Sequence, residues 1–428
     1  MKTIIRNISM LNIKEKKIEE NVNIGIDGDR IVFVGDILEG FKAEKVIEGE
    51  NRVAMPGICN SHTHIPMSLL RNYGDDLPLW DWLNSKIWPA EKYLTPEDVY
   101  WGAMLSLGEM LNSGITSFID MYFHIDSIGQ ALCDAKARGF VSRGLIGSDD
   151  GSREQLAEAE SFIKNWHNTQ NGRIKSMVAP HAIYTCSGDY ISEAMELASK
   201  YGQRIHIHVS ESKKEVDESL RDYGKSPVEY LSDLGLLDMP TVAAHCVYLS
   251  DRDMEILKEK NVNVVNNPSS NLKLGNGFAR VDEMLKLGIN VAIGTDGSAS
   301  NNNLNMFEEM HLAALVNKGV NKDPLSVPAL EVLKMGTVNG AIAMGMEDEI
   351  GSIEVGKKAD LAIISLDSAH LCPQNNLLSA LVYSAQSSDV ETVIVDGNIL
   401  LENREHKTID MEKAKYMVKS ISKRILNA

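Results

Sequence analysis

Short apolar segments alternate with segments of helical periodicity through the middle of the chain. Eight of the apolar segments have the length of a β-strand, and they lie at Ile58–His64, Ile115–Met121, Val141–Gly147, Ile174–His181, Arg204–Glu211, Thr241–Val247, Val262–Pro268 and Ile289–Asp296. Helical periodicity marks most of the segments between them, as in Glu97–Leu111 and Asp189–Lys200. Such alternation is typical of a parallel sheet covered by helices, and eight strands favour a (β/α)8 barrel with its functional groups at the carboxyl ends of the strands. A doubly wound open sheet is the structural alternative, although no glycine-rich phosphate fingerprint follows the first predicted strand.

The two ends of the chain share a different pattern. At 23–35 and again at 392–401, a β-rich run, an Asp-Gly pair and a second β-rich run follow one another, which is a strong signal for an antiparallel hairpin. Lys357–Leu366 adds a further strand. We therefore predict an α/β protein in which residues 1–54 and 349–428 form one small β-sandwich domain and residues 55–348 form the barrel.

The connection after the first barrel strand, from Ile65 to Leu94, is unusually long and holds three of the five tryptophans. Ordered connections of this length are often lids or binding loops, and aromatic side chains suit a flat heterocyclic ligand. The alternative is a locally packed hydrophobic excursion. Trp80 and Trp82 are interpreted as packing residues.

Composition and charge narrow the possible functions. Hydrophobic residues make up 43% and charged residues 24% of the 428 positions, which fits an ordinary globular protein. The formal net charge of −17 repels polyanions and argues against nucleic acid as a partner. The five cysteines are scattered without a C-x-x-C pair, so neither a disulfide framework nor a thiolate zinc site is indicated.

No stretch approaches the roughly 20 apolar residues that a membrane span needs, and polar residues interrupt the N-terminal apolar runs. These features predict a soluble protein without a signal peptide or a membrane partner, and the scattered cysteines favour a reducing cytoplasm.

Histidines concentrate in the predicted strands. His62 and His64 are two residues apart and so point to the same face, as do His206 and His208. An isolated H-x-H pair is more often structural than not. Here the histidines of two strands combine with Asp296, at the end of the eighth strand. Together they predict a metal site with nitrogen and oxygen ligands that suits Zn²⁺, with Fe²⁺ or Mn²⁺ as alternatives. We place His208 nearer the functional rim and His206 in the core behind it.

Several of these segments together resemble the metal-dependent amidohydrolase superfamily, in its deaminase and chlorohydrolase branch. The resemblance covers nearly the whole chain, and its motifs lie at Pro56–His64, His206–Glu211, Ala244–Cys246, Gly294–Asp296 and Gly351–Leu361. Within that branch, the 5-methylthioadenosine/S-adenosylhomocysteine deaminases are similar at three motifs, which lie at Trp88–Glu91, Ala179–Cys186 and His208–Glu211.

The resemblance implies roles for individual residues. One metal ion would be held by His62, His64, His208 and Asp296. The family's second-metal site needs a modified lysine at the end of the fourth strand, where this chain has Ala179-Pro180-His181, so a single divalent ion is expected.

Further residues would bind the substrate. By the same resemblance, His181 and His245 would contact the base or the attacking water, and Glu91 would bind the ribose hydroxyls. Glu211 and Asp296 would also touch the substrate. Arg143 occupies the position of a substrate-binding arginine. A second such position falls near Gln155, and Arg153 is the nearest candidate.

These residues are consistent with one chemistry. Addition of water at C6 of adenine requires protonation of N1, and Glu211 can carry a proton from water to the ring while Asp296 and His245 orient the nucleophile. We therefore predict hydrolytic deamination of a 5′-modified adenosine: 5-methylthioadenosine, S-adenosylhomocysteine, 5′-deoxyadenosine or adenosine.

Two alternatives stay open. One is a deaminase or chlorohydrolase acting on guanine, cytosine or a triazine, against which Glu91 argues because those rings carry no vicinal diol. The other is a non-catalytic scaffold, from which loss of the ligand set is expected. The predicted partner is a small nucleoside, and assembly into a homo-oligomer also stays open.

Overall fold

The computed structural model describes residues 1–147 and 152–426, and it has a mixed α/β fold. Its strands are β1 Lys2–Asn12, β2 Lys17–Asp27, β3 Arg30–Gly35, β4 Lys45–Glu48, β5 Arg52–Pro56, β6 Ile58–Thr63, β7 Ile115–Tyr122, β8 Arg138–Leu145, β9 Ile174–Ser176, β10 Ala179–Pro180, β11 Ile205–Val209, β12 Thr241–His245, β13 Asn263–Asn266, β14 Asn290–Ile293, β15 Leu361–Ser365, β16 Val390–Val395, β17 Asn398–Glu402 and β18 Glu405–His406. The last two residues of the predicted 349–428 segment lie outside the described residues.

The α-helices alternate with the middle strands and continue beyond them. They are α1 Leu79–Trp82, α2 Trp88–Glu91, α3 Pro96–Asn112, α4 Ile125–Ala135, α5 Arg153–Trp166, α6 Thr169–Gly172, α7 Gly188–Tyr201, α8 Lys213–Tyr223, α9 Pro227–Asp233, α10 Asp251–Glu259, α11 Pro268–Lys273, α12 Val281–Lys286, α13 Met306–Asn321, α14 Ala329–Met335, α15 Val338–Met344, α16 Leu377–Tyr383 and α17 Met411–Ile425. The helices predicted over 97–111 and 189–200 are present as α3 and α7. Thr95 caps α3 in a capping box with Asp98, which explains where that helix begins.

Strands from both chain ends form one nine-stranded sheet, called here the end sheet. Its order is β18-β17-β16-β15-β5-β1-β2-β3, with β4 also paired to β1. The two predicted hairpins are present as the antiparallel pairs β2–β3 and β16–β17. The antiparallel sheet that these hairpins indicate is interrupted at β1, which pairs in parallel with β4 and with β5.

The turns of the two hairpins lie against each other. Gly397 has φ +72°, and a Cβ built on it would lie 1.9 Å from the carbonyl oxygen of Gly28. Only glycine permits both the left-handed backbone and this close approach. The Asp-Gly pairs therefore also determine how the hairpins pack together.

The middle strands pair in parallel. One set has the order β10-β8-β7-β6 with β9 also on β8, and the other has the order β11-β12-β13-β14. Two contacts join the sets: a parallel bridge between Val178 and Ile205, and a 3.0 Å hydrogen bond from the Asp296 amide to the His62 carbonyl oxygen. Each of the eight predicted segments contains observed strand, although the fourth is divided into β9 and β10.

Helical turns occupy most of the long connection after β6. A 3₁₀ turn at Ile65–Leu70 is followed by α1, a π-helical turn at Leu83–Ile87, and α2. Leu79, Trp82, Leu83 and Ile87 are buried, at the spacing of one helical face. The segment is therefore a packed helical excursion that also borders a cavity, so the two interpretations of its sequence are not exclusive.

Two helices of the C-terminal segment were not predicted. α16 packs against α13 and α14, and α17 packs against α3. Along α17, Ala414, Val418, Ile421 and Ile425 are buried at helical spacing. The C-terminal segment therefore contacts the helices of the middle segment as well as contributing to the end sheet.

A buried ion-pair network joins β8 to the end sheet. The fully buried Arg138 guanidinium lies 2.9 Å from Asp360 Oδ2 and 3.4 Å from Asp396 Oδ1. Arg173 and Lys358 also reach Asp396. Removing one member would leave a buried charge unpaired, which typically costs about 3–5 kcal/mol.

Among the described residues, no helix combines the length and apolar character that crossing a bilayer would require.

Candidate active site

Five predicted site residues lie at or just beyond the carboxyl ends of parallel strands. His62 lies in β6 and His208 in β11, while His245 is the last residue of β12. His64 follows β6 directly, and Asp296 lies three residues beyond β14. All are buried except His64, whose side chain is 13% exposed. These side chains converge because parallel strands end at the same side of their sheet.

Gly294 permits β14 to approach β6 at this point. A Cβ on Gly294 would lie 2.7 Å from the His62 carbonyl oxygen and 2.8 Å from its amide nitrogen. Neither backbone atom can move aside independently of its strand. The glycine two residues before Asp296 therefore sets the distance between the two strand ends.

Hydrogen bonds orient three of the imidazoles. His64 Nδ1 donates to the Met121 carbonyl oxygen at 2.6 Å, and His208 Nδ1 donates to the His181 carbonyl oxygen at 2.8 Å. His62 Nδ1 lies 2.8 Å from His206 Nε2, so the core position expected for His206 supports the orientation of His62. With each Nδ1 engaged in this way, each Nε2 is left available as a ligand atom.

Asp296 faces these rings. Its Oδ1 lies 3.5 Å from His62 Nε2 and 3.3 Å from His64 Nε2, and Ser270 Oγ donates to its Oδ2 at 2.6 Å. Burial would raise the pKa of Asp296, but the close approach of His62 and the other neighbouring imidazoles holds it well below its usual value. The carboxylate is therefore ionised.

The donor set fits a divalent cation. Ligand atoms of His62, His208 and His245 lie within 4.8 Å of one another, as do those of His62, His64 and Asp296. His62 belongs to both groups, and its Nε2 is buried with no hydrogen-bond partner. Burial lowers the pKa of His62 to about 4, so the ring is neutral and its lone pair is free. Neutral imidazoles with one carboxylate form a ligand set typical of zinc.

Glu211 and His245 lie beside this cluster. Glu211 Oε2 is 3.8 Å from His245 Nε2, and Asn276 donates to Glu211 Oε1 at 3.0 Å. Burial raises the pKa of Glu211. Burial would lower the pKa of His245, but the charges of Glu211 and Asp296 raise it overall. Asn271 Oδ1 contacts His245 Nδ1 at 2.8 Å and fixes the ring.

Glu215 clamps the backbone that carries Glu211. Its two carboxylate oxygens accept hydrogen bonds from the amides of Ser210 and Glu211, at 2.9 and 2.8 Å. Ser210 has φ +50°, so the chain turns sharply after β11. Glu215 was not identified from the sequence, where it is one of four acidic residues in the segment that forms α8.

The cluster lies at one side of a cavity that opens to solvent and has about 710 Å³ of free space, part of which is open solvent. His64, His181, His208, Glu211, His245 and Asp296 all line it, as do Glu91 and Arg143. Apolar side chains complete the wall, among them Met67, Leu79, Trp82, Leu83, Trp88, Phe123 and Leu274. Trp82, interpreted from the sequence as a packing residue, is buried and also borders the cavity.

Glu91 lies at the end of α2. Tyr122, at the end of β7, donates to Glu91 Oε1 at 2.8 Å. Burial raises the pKa of Glu91 to about 7, although the hydrogen bond from Tyr122 acts in the opposite direction. His181 follows β10, with its Nδ1 3.0 Å from Thr185 Oγ1, and burial lowers the pKa of His181 to about 3.

The two arginines differ in position. Arg143 lines the cavity, with its Nε 2.6 Å from Glu158 Oε2. Arg153, the first residue of α5, lines a separate groove between α5 and α7 and is not among the described residues that border the cavity. Gln155, beside Arg153, accepts from the Ile146 amide at 2.8 Å and donates to its carbonyl oxygen at 2.7 Å. Residues 148–151, between Ile146 and Arg153, lie outside the described part of the chain.

Comparison with known proteins places this geometry in context. A model of the amidohydrolase family matches residues 53–400. A protein of Thermoanaerobacter pseudethanolicus named 5-methylthioadenosine/S-adenosylhomocysteine deaminase is 55% identical, and the alignment covers 100% of both chains. A protein of the same name from Acetivibrio thermocellus is 49% identical, again over 100% of both.

Solved structures are also similar. An adenosine deaminase from Xanthomonas campestris with bound zinc has a TM-score of 0.94 and 32% identity, covering 100% of this chain and 99% of the other. The atrazine chlorohydrolase of Arthrobacter aurescens, complexed with zinc, has a TM-score of 0.91, covering 98% of this chain and 100% of the other. At 24% identity, that second likeness concerns the fold alone.

Proposed function

The chain belongs to the amidohydrolase family, and we propose that it catalyses the hydrolytic deamination of a 5′-modified adenosine to the inosine analogue and ammonia. One observation carries the proposal: a single cavity is lined both by an imidazole and carboxylate cluster suited to a divalent metal and by the carboxylate of Glu91. The metal-binding cluster suits hydrolysis of the amidine of an adenine ring, and the Glu91 carboxylate suits binding of the ribose hydroxyls. The names of the full-length relatives support the same substrate class.

We also propose the finer architecture. The parallel strands β6–β14 close into a (β/α)8 barrel. Two contacts between the two sets of strands support this closure: the hydrogen bond that joins the segment after β14 to β6, and the bridge between Val178 and Ile205. The end sheet folds over its own apolar core as a small sandwich, since side chains of β1, β2, β15 and β16 form a second buried cluster. The corresponding segments are 55–348 for the barrel and 1–54 with 349–428 for the smaller domain.

One divalent ion, with zinc preferred over Fe²⁺ or Mn²⁺, would be held by four ligands: His62, His64, His208 and Asp296. The unpartnered Nε2 of His62 and the ionised carboxylate of Asp296 support this set. When bound, such an ion would lower the pKa of a water ligand towards neutrality and so would supply hydroxide at physiological pH.

The chain's own residues manage the protons and the substrate. Glu211, whose pKa is raised by burial, takes a proton from the attacking water and delivers it to N1 of the adenine ring. His245 and Asp296 orient the nucleophile, and His181, a neutral imidazole, hydrogen-bonds the base. The remaining proton of the added hydroxyl then passes to the amino group, the C6–N bond breaks, and ammonia leaves as the C6 carbonyl of the inosine analogue forms.

Glu91 and Arg143 would bind the remainder of the nucleoside. Both line the cavity, Glu91 with a carboxylate that can accept hydrogen bonds from two ribose hydroxyls, and Arg143 with a guanidinium already paired to Glu158. The role of Arg153 remains a prediction, which its position in the α5–α7 groove does not support. The proposed partner is a small nucleoside.

Glu91→Ala tests the assignment to nucleosides. A hydrogen bond to a charged group contributes about 1.5–3 kcal/mol, so we expect kcat/KM for adenosine to fall about tenfold to a hundredfold. The effect on 2′,3′-dideoxyadenosine should be much smaller, because that substrate lacks both hydroxyls. Glu97→Ala, at an exposed position on α3, is the matched control. Equal losses on the two substrates would refute the ribose contact.

A further inference from the structure

Tyr122 has no place so far in the proposed chemistry, although it occupies a prominent position in the cavity. It is the last residue of β7, is 5% exposed, and lines the cavity. Its ring stacks on Phe123 with the ring centres 4.3 Å apart. The phenol is therefore held by a barrel strand and by ring packing.

The hydroxyl of Tyr122 connects this strand to the helical excursion after β6. It donates to Glu91 Oε1 at 2.8 Å, and Glu91 ends α2, the last helical turn of that excursion. Among the hydrogen bonds of the described residues, none reaches Glu91 Oε2. One carboxylate oxygen is thus anchored, while the other is free to accept from a ligand.

This arrangement matters for recognition of a diol. The two hydroxyls of a ribose are adjacent and rigid, so a carboxylate receives both only in a narrow range of orientations. A carboxylate that is already held in such an orientation loses less conformational entropy on binding. The burial of Tyr122 itself would require only some acceptor for its hydroxyl. Here that acceptor is the one carboxylate of the excursion that lines the cavity.

We propose that Tyr122 is a positioning residue for the ribose: by holding Glu91 Oε1, it presents the carboxylate to the 2′- and 3′-hydroxyls and strengthens selection of ribonucleosides. The inference rests on the proposed function and on the role of Glu91 within it. It adds a residue on β7 to the determinants of substrate choice.

The test is a double-mutant cycle measured on two substrates. The parent, Tyr122→Phe, Glu91→Gln and the double variant are compared by kcat/KM on adenosine and on 2′,3′-dideoxyadenosine. We expect Tyr122→Phe to lower kcat/KM for adenosine about tenfold, mainly by raising KM. The kcat/KM for dideoxyadenosine should change by at most about twofold. The double variant should be no worse on adenosine than Glu91→Gln alone, because Tyr122 acts through Glu91.

Tyr100→Phe is the matched control, since it removes a phenolic hydroxyl that bonds Asp134 on the surface. Turnover of dideoxyadenosine reports folding of each variant in the same assay, and Tyr122→Met repeats the comparison if the phenylalanine variant does not fold. Equal losses on both substrates, no loss on adenosine, or losses that multiply in the double variant would overturn the inference. Failure of the parent to deaminate either nucleoside would instead refute the proposed function.

Discussion

At the scale of single residues, burial affects the carboxyl groups of the cavity in different ways. Asp296 faces several imidazoles, and its pKa is held well below the usual value. Glu211 and Glu91 have fewer compensating partners, and burial raises the pKa of each. Asp296 is thus suited to binding a cation, and Glu211 is suited to carrying a proton. Such a division of roles is expected when their surroundings give neighbouring acids different pKa values.

Glu211→Gln tests the proton-carrying role. The amide keeps the volume and the contact with Asn276 but cannot take up a proton, so we expect kcat to fall by about 10²–10⁴. The parent and the variant should both hold about one equivalent of divalent metal by elemental analysis, the number implied by one cluster of this size. Glu259→Gln, on the exposed side of α10, is the control. Loss of metal together with rate would make Glu211 a ligand.

The raised pKa of Glu91 predicts a pH dependence of ribose recognition. With a pKa of about 7, Glu91 is ionised above neutrality and becomes protonated as the pH falls, which weakens its acceptance of hydrogen bonds. Between pH 8 and pH 6 its ionised fraction falls about tenfold. The KM for adenosine, divided by that for 2′,3′-dideoxyadenosine, should rise by a similar factor, since effects common to both substrates cancel. A ratio that is flat over this range would show that Glu91 does not titrate there or does not bind the diol.

Some site residues could be located from the sequence, and others could not. His62 and His64 share a face because they are two residues apart, and Asp296 follows a strand, so local rules were sufficient to bring them to one edge. Tyr122 and Glu215 act through contacts with Glu91 and with the backbone of Glu211. Contacts of this kind depend on how separate elements pack, and one sequence without structure does not specify them.

At the scale of secondary-structure elements, the site depends on how closely strand ends approach. The strands were predictable because buried parallel strands are short apolar runs between amphipathic helices. The sequence analysis predicts no helix for α17 or for the excursion at 79–91, although the buried residues Leu79, Trp82, Leu83 and Ile87 follow a helical spacing. Both segments therefore carry a helical period that can be read from the sequence.

Gly294→Ala tests the contact between β14 and β6. The added methyl group would meet the His62 backbone at 2.7–2.8 Å, so the strands must separate. We expect a loss of about 1–3 kcal/mol in the free energy of unfolding, measured in denaturant, and a lower metal content. Gly319→Ala in α13 is the control, because nothing lies within 4 Å of its added Cβ, and there we expect a gain of about 0.5–1 kcal/mol. Parent-like stability and metal content in Gly294→Ala would contradict this account of the strand contact.

At the scale of the whole molecule, charges and hairpins join distant parts of the chain. The Asp-Gly pairs predicted two hairpins locally, but not that their turns would meet at Gly28 and Gly397. Likewise nothing in the sequence pairs Arg138 with Asp360, which is 222 residues away. The net charge of −17 bears on partners and not on the fold, and it agrees with a small substrate better than with a polyanion.

The most direct test of the proposed function compares nucleosides with free heterocycles in one assay. The metal-loaded protein is supplied separately with 5-methylthioadenosine, S-adenosylhomocysteine, 5′-deoxyadenosine, adenosine, guanine, cytosine and a chlorotriazine, and ammonia release is measured alongside the product. We predict that adenine nucleosides yield the inosine analogue with one ammonia for each turnover, at a kcat/KM above that of every free heterocycle. Faster turnover of a free base or of the triazine, or no ammonia from any nucleoside, would contradict the account.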